Sequence, residues 1–216
     1  MSTPHKLRIT EIFYSLQGET RSLGWPTVFV RLTGCPLRCG YCDTEYAFSG
    51  GEWMNFTAIF SQIKNYQTHY ITVTGGEPLA QPDCLPLLTQ LCDQGYQVSL
   101  ETSGAMSLEG VDLRVRKIMD IKTPDSNEVE KNRWENLQYL NNKDEIKFVI
   151  CSEQDYLWCK QQLIDQSLAS RCEVLFSPSH EQLAASTLAD WILRDQLPVR
   201  FQMQLHKVLW GNQPGR

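Results

Sequence analysis

Short apolar, β-branched runs recur along the chain at Val28–Leu32, Tyr70–Val73, Gln97–Leu100, Lys117–Ile121, Ile146–Ile150, Glu173–Phe176 and Val199–Leu205, and each predicts a strand. Between most of them the apolar positions change period. Thr57–Tyr66 sets Ile59, Phe60 and Ile63 on one helix face, Leu85–Cys92 does the same with Leu87, Leu88 and Leu91, and Tyr156–Leu168 and Leu183–Leu193 repeat the pattern. Strand then helix, repeated, predicts parallel pairing through right-handed crossovers. Such units fall short of a full (β/α) barrel, so the expected fold is α/β, a partial, open (β/α) barrel with about six parallel strands. Leu7–Ser15 alternates and predicts an accessory edge strand.

Composition narrows this picture in three ways. With 216 residues, 42% of them hydrophobic, and no Gly/Ser/Pro-rich linker or repeat, the chain is expected to form one domain over residues 1–216. A net charge of -5 supplies no basic field, which argues against a nucleic-acid partner. The first ten residues lack the apolar stretch of a secretory signal, and no run of about 18 apolar residues could span a bilayer, so a cytoplasmic protein without a membrane partner is expected.

The unusual polar sequences fall just after the predicted strands. A loop holding Cys35, Cys39 and Cys42 follows the first, Thr74-Gly75-Gly76-Glu77-Pro78 the second and Glu101-Thr102-Ser103-Gly104 the third. Lys122-Thr123-Pro124, Ser177-Pro178-Ser179 and His206 follow later ones. In a barrel of parallel strands all of them would project from the C-terminal rim, where such folds build their sites.

The CxxxCxxC loop packs three thiolates together, bracketed by Gly34, Pro36 and Gly40. A fully ligated ferredoxin-type cluster takes four thiolates, whereas three leave one iron open to a substrate or cofactor, so the loop predicts an open-site 4Fe-4S centre. Zinc held by three cysteines and one histidine is the alternative, although His69, His180 and His206 lie far along the chain without finger spacing. The remaining thiols, Cys84, Cys92, Cys151, Cys159 and Cys172, are scattered and read as small buried apolar residues of a reduced protein. The double glycine before Glu77 fits either an ordinary turn entering a helix or a close ligand approach, with Glu77 offering a carboxylate to an ammonium group.

With its aromatic Tyr41 before the last cysteine, the loop resembles the radical S-adenosylmethionine (SAM) signature, and Gly75-Gly76-Glu77-Pro78 resembles the GGEP element of that superfamily. The chain resembles in particular the 7-carboxy-7-deazaguanine synthase family over nearly its whole length. The blocks are Phe13-Tyr14-Ser15-Leu16-Gln17-Gly18-Glu19, Phe29 to Pro36, Cys42-Asp43-Thr44, Val73 to Pro78, Glu101 to Gly104 and Gln204-Leu205-His206-Lys207, in family order. Thr20 stands where the opening block ends in Gly, and the chain continues past the short C-terminus of some relatives through Trp210 to Arg216.

The resemblance implies conversion of 6-carboxy-5,6,7,8-tetrahydropterin into 7-carboxy-7-deazaguanine, a ring contraction with loss of ammonia on the route to queuosine and related 7-deazapurines. It implies a 4Fe-4S cluster on Cys35, Cys39 and Cys42, SAM as a regenerated cofactor, Mg2+ on Thr44, a flavodoxin or ferredoxin electron donor, and a homodimer. SAM contacts carry over to Gly76, Glu77, Glu101, Thr102, Lys122, Thr123, Ser177 and Ser179, and substrate contacts to Leu16, Gln17, Gly18, Glu19, Arg31, Thr74 and His206. Arg31 interrupts the apolar strand Val28–Leu32, and its planar fork matches a carboxylate. Two other classes stay open on sequence grounds: another small radical SAM enzyme, such as a glycyl-radical activase, and a non-enzymatic iron-sulfur or zinc module.

Overall fold

The computed structural model of the chain describes residues 5–213 and Gly215. Two strands open it, β1 (Lys6–Leu16) and β2 (Pro26–Leu32), followed by β3 (Glu52–Asn55), α1 (Phe56–Ile63), β4 (Tyr70–Gly75), α2 (Cys84–Asp93) and β5 (Gln97–Thr102). The second half runs β6 (Arg116–Asp120), β7 (Glu145–Ile150), α3 (Glu153–Asp165), β8 (Glu173–Pro178), α4 (Ala185–Arg194), β9 (Arg200–Phe201) and α5 (Leu205–Trp210).

Among the described residues nine strands join one sheet in the order β3-β1-β2-β4-β5-β6-β7-β8-β9. From β2 to β9 every neighbouring pair is parallel, while β1 runs antiparallel to both β2 and β3. Among the described residues the end strands do not pair with each other, so the sheet curves as an open barrel.

Period-two alternation separates the two faces. Val28, Val30, Ile71, Val73, Val98, Leu100, Ile146 and Phe148 point outward into the apolar core, where Ile59, Phe60 and Ile63 of α1 and Leu87, Leu88 and Leu91 of α2 cover them. Each such fully buried side chain contributes about 1.5–3 kcal/mol. Cys84, Cys159 and Cys172 sit in the same core, with Cys92 packed against it. Cys151 lies apart and half-buried, its backbone N–H donating to Asp155. The intervening strand residues, Phe29, Arg31, Thr74, Glu101, Asp120, Lys147 and Val149, face inward and line a cavity. Among the described residues no helix is long and apolar enough to cross a membrane.

Three expectations need correction. Leu7–Ser15 is not an edge strand, because Glu52–Asn55 pairs outside it. That short strand ends in Asn55, whose side chain accepts from Ala58 N and caps α1. The apolar alternation of Val199–Leu205 becomes only a two-residue strand. Beyond it Gln202 turns its side chain to the backbone N–H of Thr20, and the chain enters α5, so His206 lies on a helix.

Candidate active site

At the C-terminal ends of the parallel strands lies a cavity of about 370 Å³, within the usual range for small-molecule sites. Cys35, Cys39 and Cys42 line it on one side, and the Leu16–Glu19 turn and His206 on another.

The cysteine loop is braced from three directions. Gly34 N donates to Ala47 O at 2.8 Å and Gly40 N to Ser126 O at 3.0 Å. Gly76 N donates to Leu32 O at 3.1 Å and Glu77 N to Gly34 O at 2.7 Å, which joins the double-glycine turn directly to the base of the loop. A β-carbon on Gly76 would sit 2.3 Å from Gly34 O, and one on Gly75 would sit 2.6 Å from Leu32 O. The two glycines are therefore required by this backbone-to-backbone packing, whatever ligand also approaches them.

Burial pushes the Cys39 thiol up to about 11 and raises Cys35 as well. Among the described residues no three His, Cys, Asp or Glu side chains converge to hold a single metal ion. A 4Fe-4S cluster needs no such convergence, because its thiolates bind different irons. Three half-buried thiols on one braced loop facing a cavity fit a cluster with one iron open.

The opposite wall is a chain of buried polar groups. Gln17 donates through Nε2 to Thr72 (3.1 Å) and Glu101 (3.2 Å), and its Oε1 accepts from Glu19 N. Thr74 Oγ1 donates to the other Glu101 oxygen at 3.0 Å. Glu19 pairs with Lys147 at 2.7 Å and accepts from Gln204 at 3.0 Å, while Asp120 stands 3.3 Å from Lys122 and 3.5 Å from Lys147.

Burial alone would raise the Glu19 carboxyl, but the adjacent Lys147 ammonium and the hydrogen bond from Gln204 hold it well below the ordinary range. Burial and the nearby Glu19 push Glu101 upward. Burial also lowers His206, favouring the neutral imidazole. The wall thus offers both fixed charges and neutral hydrogen-bonding groups in one water-poor space.

Residues 29–126 match the model of the radical SAM superfamily. The chain is 45% identical to the 7-carboxy-7-deazaguanine synthase of Chlorobaculum tepidum, over 98% of this chain and 97% of the relative. It is 41% identical to that of Koribacter versatilis, over 94% and 97%. The crystal structure of QueE from Escherichia coli shares the fold with a TM-score of 0.77 at 22% identity, covering 93% of this chain and 95% of that one. The chain belongs to the 7-carboxy-7-deazaguanine synthase family. As a radical SAM protein it uses a 4Fe-4S cluster and SAM.

Within this family frame the expected SAM residues divide. Gly76, Glu101, Thr102, Lys122 and Ser179 line the cavity; Glu77, Thr123 and Ser177 do not. Glu77 is fully buried, and its carboxylate accepts from Leu79 N, Thr102 Oγ1, Ser103 N and Ser103 Oγ. It therefore ties the end of β5 to the turn after β4. Thr123 donates to Val149 O, and Ser177 is buried inside β8.

The expected substrate residues Leu16, Gln17, Gly18, Glu19, Arg31, Thr74 and His206 all line the cavity. A β-carbon on Gly18 would lie 2.4 Å from His206 Nδ1, so the glycine lets α5 close on the turn. Thr44 also lines the cavity, its hydroxyl 3.3 Å from Asp43 Oδ1 and 3.9 Å from Cys42 Sγ. Thr20 adopts φ 69°, a left-handed backbone where glycine is at ease. Its N–H donates to Gln202 and its Oγ1 accepts from Ser22 N, which holds the turn without glycine. Of the C-terminal extension, Asn212 reaches the cavity, while Pro214 and Arg216 lie outside the described residues.

Sequence reading placed Tyr41, Asp43, Gln204 and Lys207 in motifs without giving them a site role and missed Lys147 and Asp120; all six line the cavity. The signal for Lys147 was present: it interrupts the apolar Ile146–Ile150 as Arg31 interrupts Val28–Leu32.

Proposed function

We propose that this chain, as one domain, makes 7-carboxy-7-deazaguanine from 6-carboxy-5,6,7,8-tetrahydropterin. The observation that carries this is the 45% identity to a named synthase over nearly all of both chains. Cys35, Cys39 and Cys42 would hold the cluster, which with SAM would supply the chemistry of hydrogen-atom abstraction.

The chain's own residues would bind and orient the pterin. Arg31 is placed to receive its carboxylate through a planar fork. Glu19, Thr74 and the Leu16–Gly18 backbone present acceptors and donors to its amide edge. The Gln17 side chain, already committed to Thr72, Glu101 and Glu19 N, acts by shaping that turn. His206, kept neutral by burial, can donate or accept one hydrogen bond. Thr44, beside Asp43, offers the hard oxygen that suits Mg2+. We place the protein in the cytoplasm, as a homodimer served by a flavodoxin or ferredoxin, with no nucleic-acid partner.

An anaerobic assay with 6-carboxytetrahydropterin, SAM, Mg2+ and a reductant, read by appearance of 7-carboxy-7-deazaguanine, tests the whole reading. SAM cleavage with the pterin untouched would overturn the substrate. Colourless protein carrying zinc and no sulfide would overturn the chemistry.

A further inference from the structure

The guanidinium of Arg31 is held on three of its sides and open on the fourth. A register shift between Ile9 and Glu11 sets Glu11 directly opposite Arg31 across the β1–β2 ladder, with Phe13 opposite Phe29 beside it. Glu11 Oε1 accepts from Arg31 Nε at 2.7 Å and from the Tyr46 hydroxyl at 2.8 Å. The Phe13 and Tyr46 rings flank the guanidinium carbon, with centroids 5.6 and 5.8 Å away, in cation–π range. Among the described residues the two terminal nitrogens of Arg31 have no hydrogen-bond partner, and Arg31 lines the cavity while Glu11 and Tyr46 stand behind it.

A guanidinium offers a carboxylate two bidentate edges, one through Nε and one through the terminal nitrogens. Glu11 occupies the first, so only the second remains for a ligand. We infer that Glu11 and Tyr46 are positioning residues that fix the plane of Arg31 and point its free edge into the cavity, setting the preference for a planar carboxylate over a neutral amide. This rests on the reading that Arg31 receives the substrate carboxylate. Glu11 acts through its acceptor oxygen and not through its charge, since a second anion beside the ligand carboxylate is itself unfavourable.

The test separates these two properties of Glu11. Purified, anaerobically reconstituted protein is titrated with 6-carboxypterin and with its 6-carboxamide, and the ratio of the two affinities is compared among variants. Glu11→Gln keeps an acceptor for Nε and for Tyr46 without the charge, and retains or raises the wild-type ratio. Glu11→Ala lacks both, and its ratio falls at least fivefold below that of Glu11→Gln. Tyr46→Phe, which leaves the charges untouched, lowers the ratio about threefold. A merely structural role would weaken both ligands alike and leave the ratio unmoved.

Equal ratios for wild type, Glu11→Ala and Tyr46→Phe, with the ratio lost in Arg31→Ala, would overturn the positioning role and leave Arg31 as the carboxylate receptor. A ratio unchanged in Arg31→Ala would overturn the receptor reading, and this inference with it.

Discussion

Lys117 on β6 is buried and Lys147 on β7 half-buried; both are paired with a carboxylate and they stand one strand apart, yet they face opposite ways. Lys117 points outward and meets Asp144 at 3.0 Å. Asp144 also accepts from the backbone N–H groups of Lys117 and Asn141 at 2.9 Å, pinning the turn that leads into β7. Lys147 points inward, meets Glu19 at 2.7 Å and stands 3.5 Å from Asp120 on the cavity wall. Burial and charge alone do not mark a ligand-facing group; the face of the sheet decides whether an ion pair is closed by the chain's own donors or stays open to a cavity.

If this division holds, inward variants alter chemistry, with or without a loss of stability, and outward variants alter stability alone. The largest effect is expected for Cys39→Ala, which should abolish product formation and cluster absorbance. The urea midpoint of the iron-free protein should barely move, because the thiol makes no core contact; a collapse of stability would blur the comparison.

Asp144→Ala leaves Lys117 buried without its partner and should cost about 3–5 kcal/mol in urea unfolding. Its folded fraction should keep wild-type substrate affinity.

Glu19→Gln removes a charged hydrogen-bond acceptor and should cost about 2 kcal/mol, together with most of the turnover. Its carboxyl sits at about 2 in the folded chain against an ordinary 4.5. The stability it contributes is thus complete above 4.5 and lost as pH falls toward 2. Urea midpoints across that window should fall less steeply in Glu19→Gln than in wild type. Parallel slopes would remove the charge of Glu19 from the folded wall.

The smallest effect is expected at Thr20. Thr20→Val keeps the left-handed backbone strain but loses the acceptor for Ser22 N, and should lower stability by about 1 kcal/mol. Thermal melting would resolve it.

The parallel strands were legible because each buries one face under helices and so carries an apolar run. Val199–Leu205 misled because alternation records which side of a segment is covered, not what covers it. The backbone N–H of Gln202 makes the last bond to β8, at Phe176 O, its side chain turns to Thr20 N, and the following residues turn into α5. Among site residues, Arg31 and the cysteines stood out as chemistry in the wrong composition. Lys147 carried the same mark, but its partner Glu19 lies 128 positions away in the chain, a distance no local pattern bridges. Glu77 illustrates the converse, since a motif carboxylate looks free until its donors at Thr102 and Ser103 fold onto it.

The hydrogen bonds from Gly76 and Glu77 to the base of the cysteine loop, with those from Gly34 and Gly40, place that loop's conformation under the control of folding. Fixing a residue's backbone costs about 1–2 kcal/mol, so a floppy eight-residue loop would weaken metal affinity by many orders of magnitude. Four backbone hydrogen bonds made by the fold around the loop offset part of that cost. The shape of the loop that carries the three sulfurs thus depends on two glycines at the end of a neighbouring strand, where any side chain would strike Leu32 O or Gly34 O.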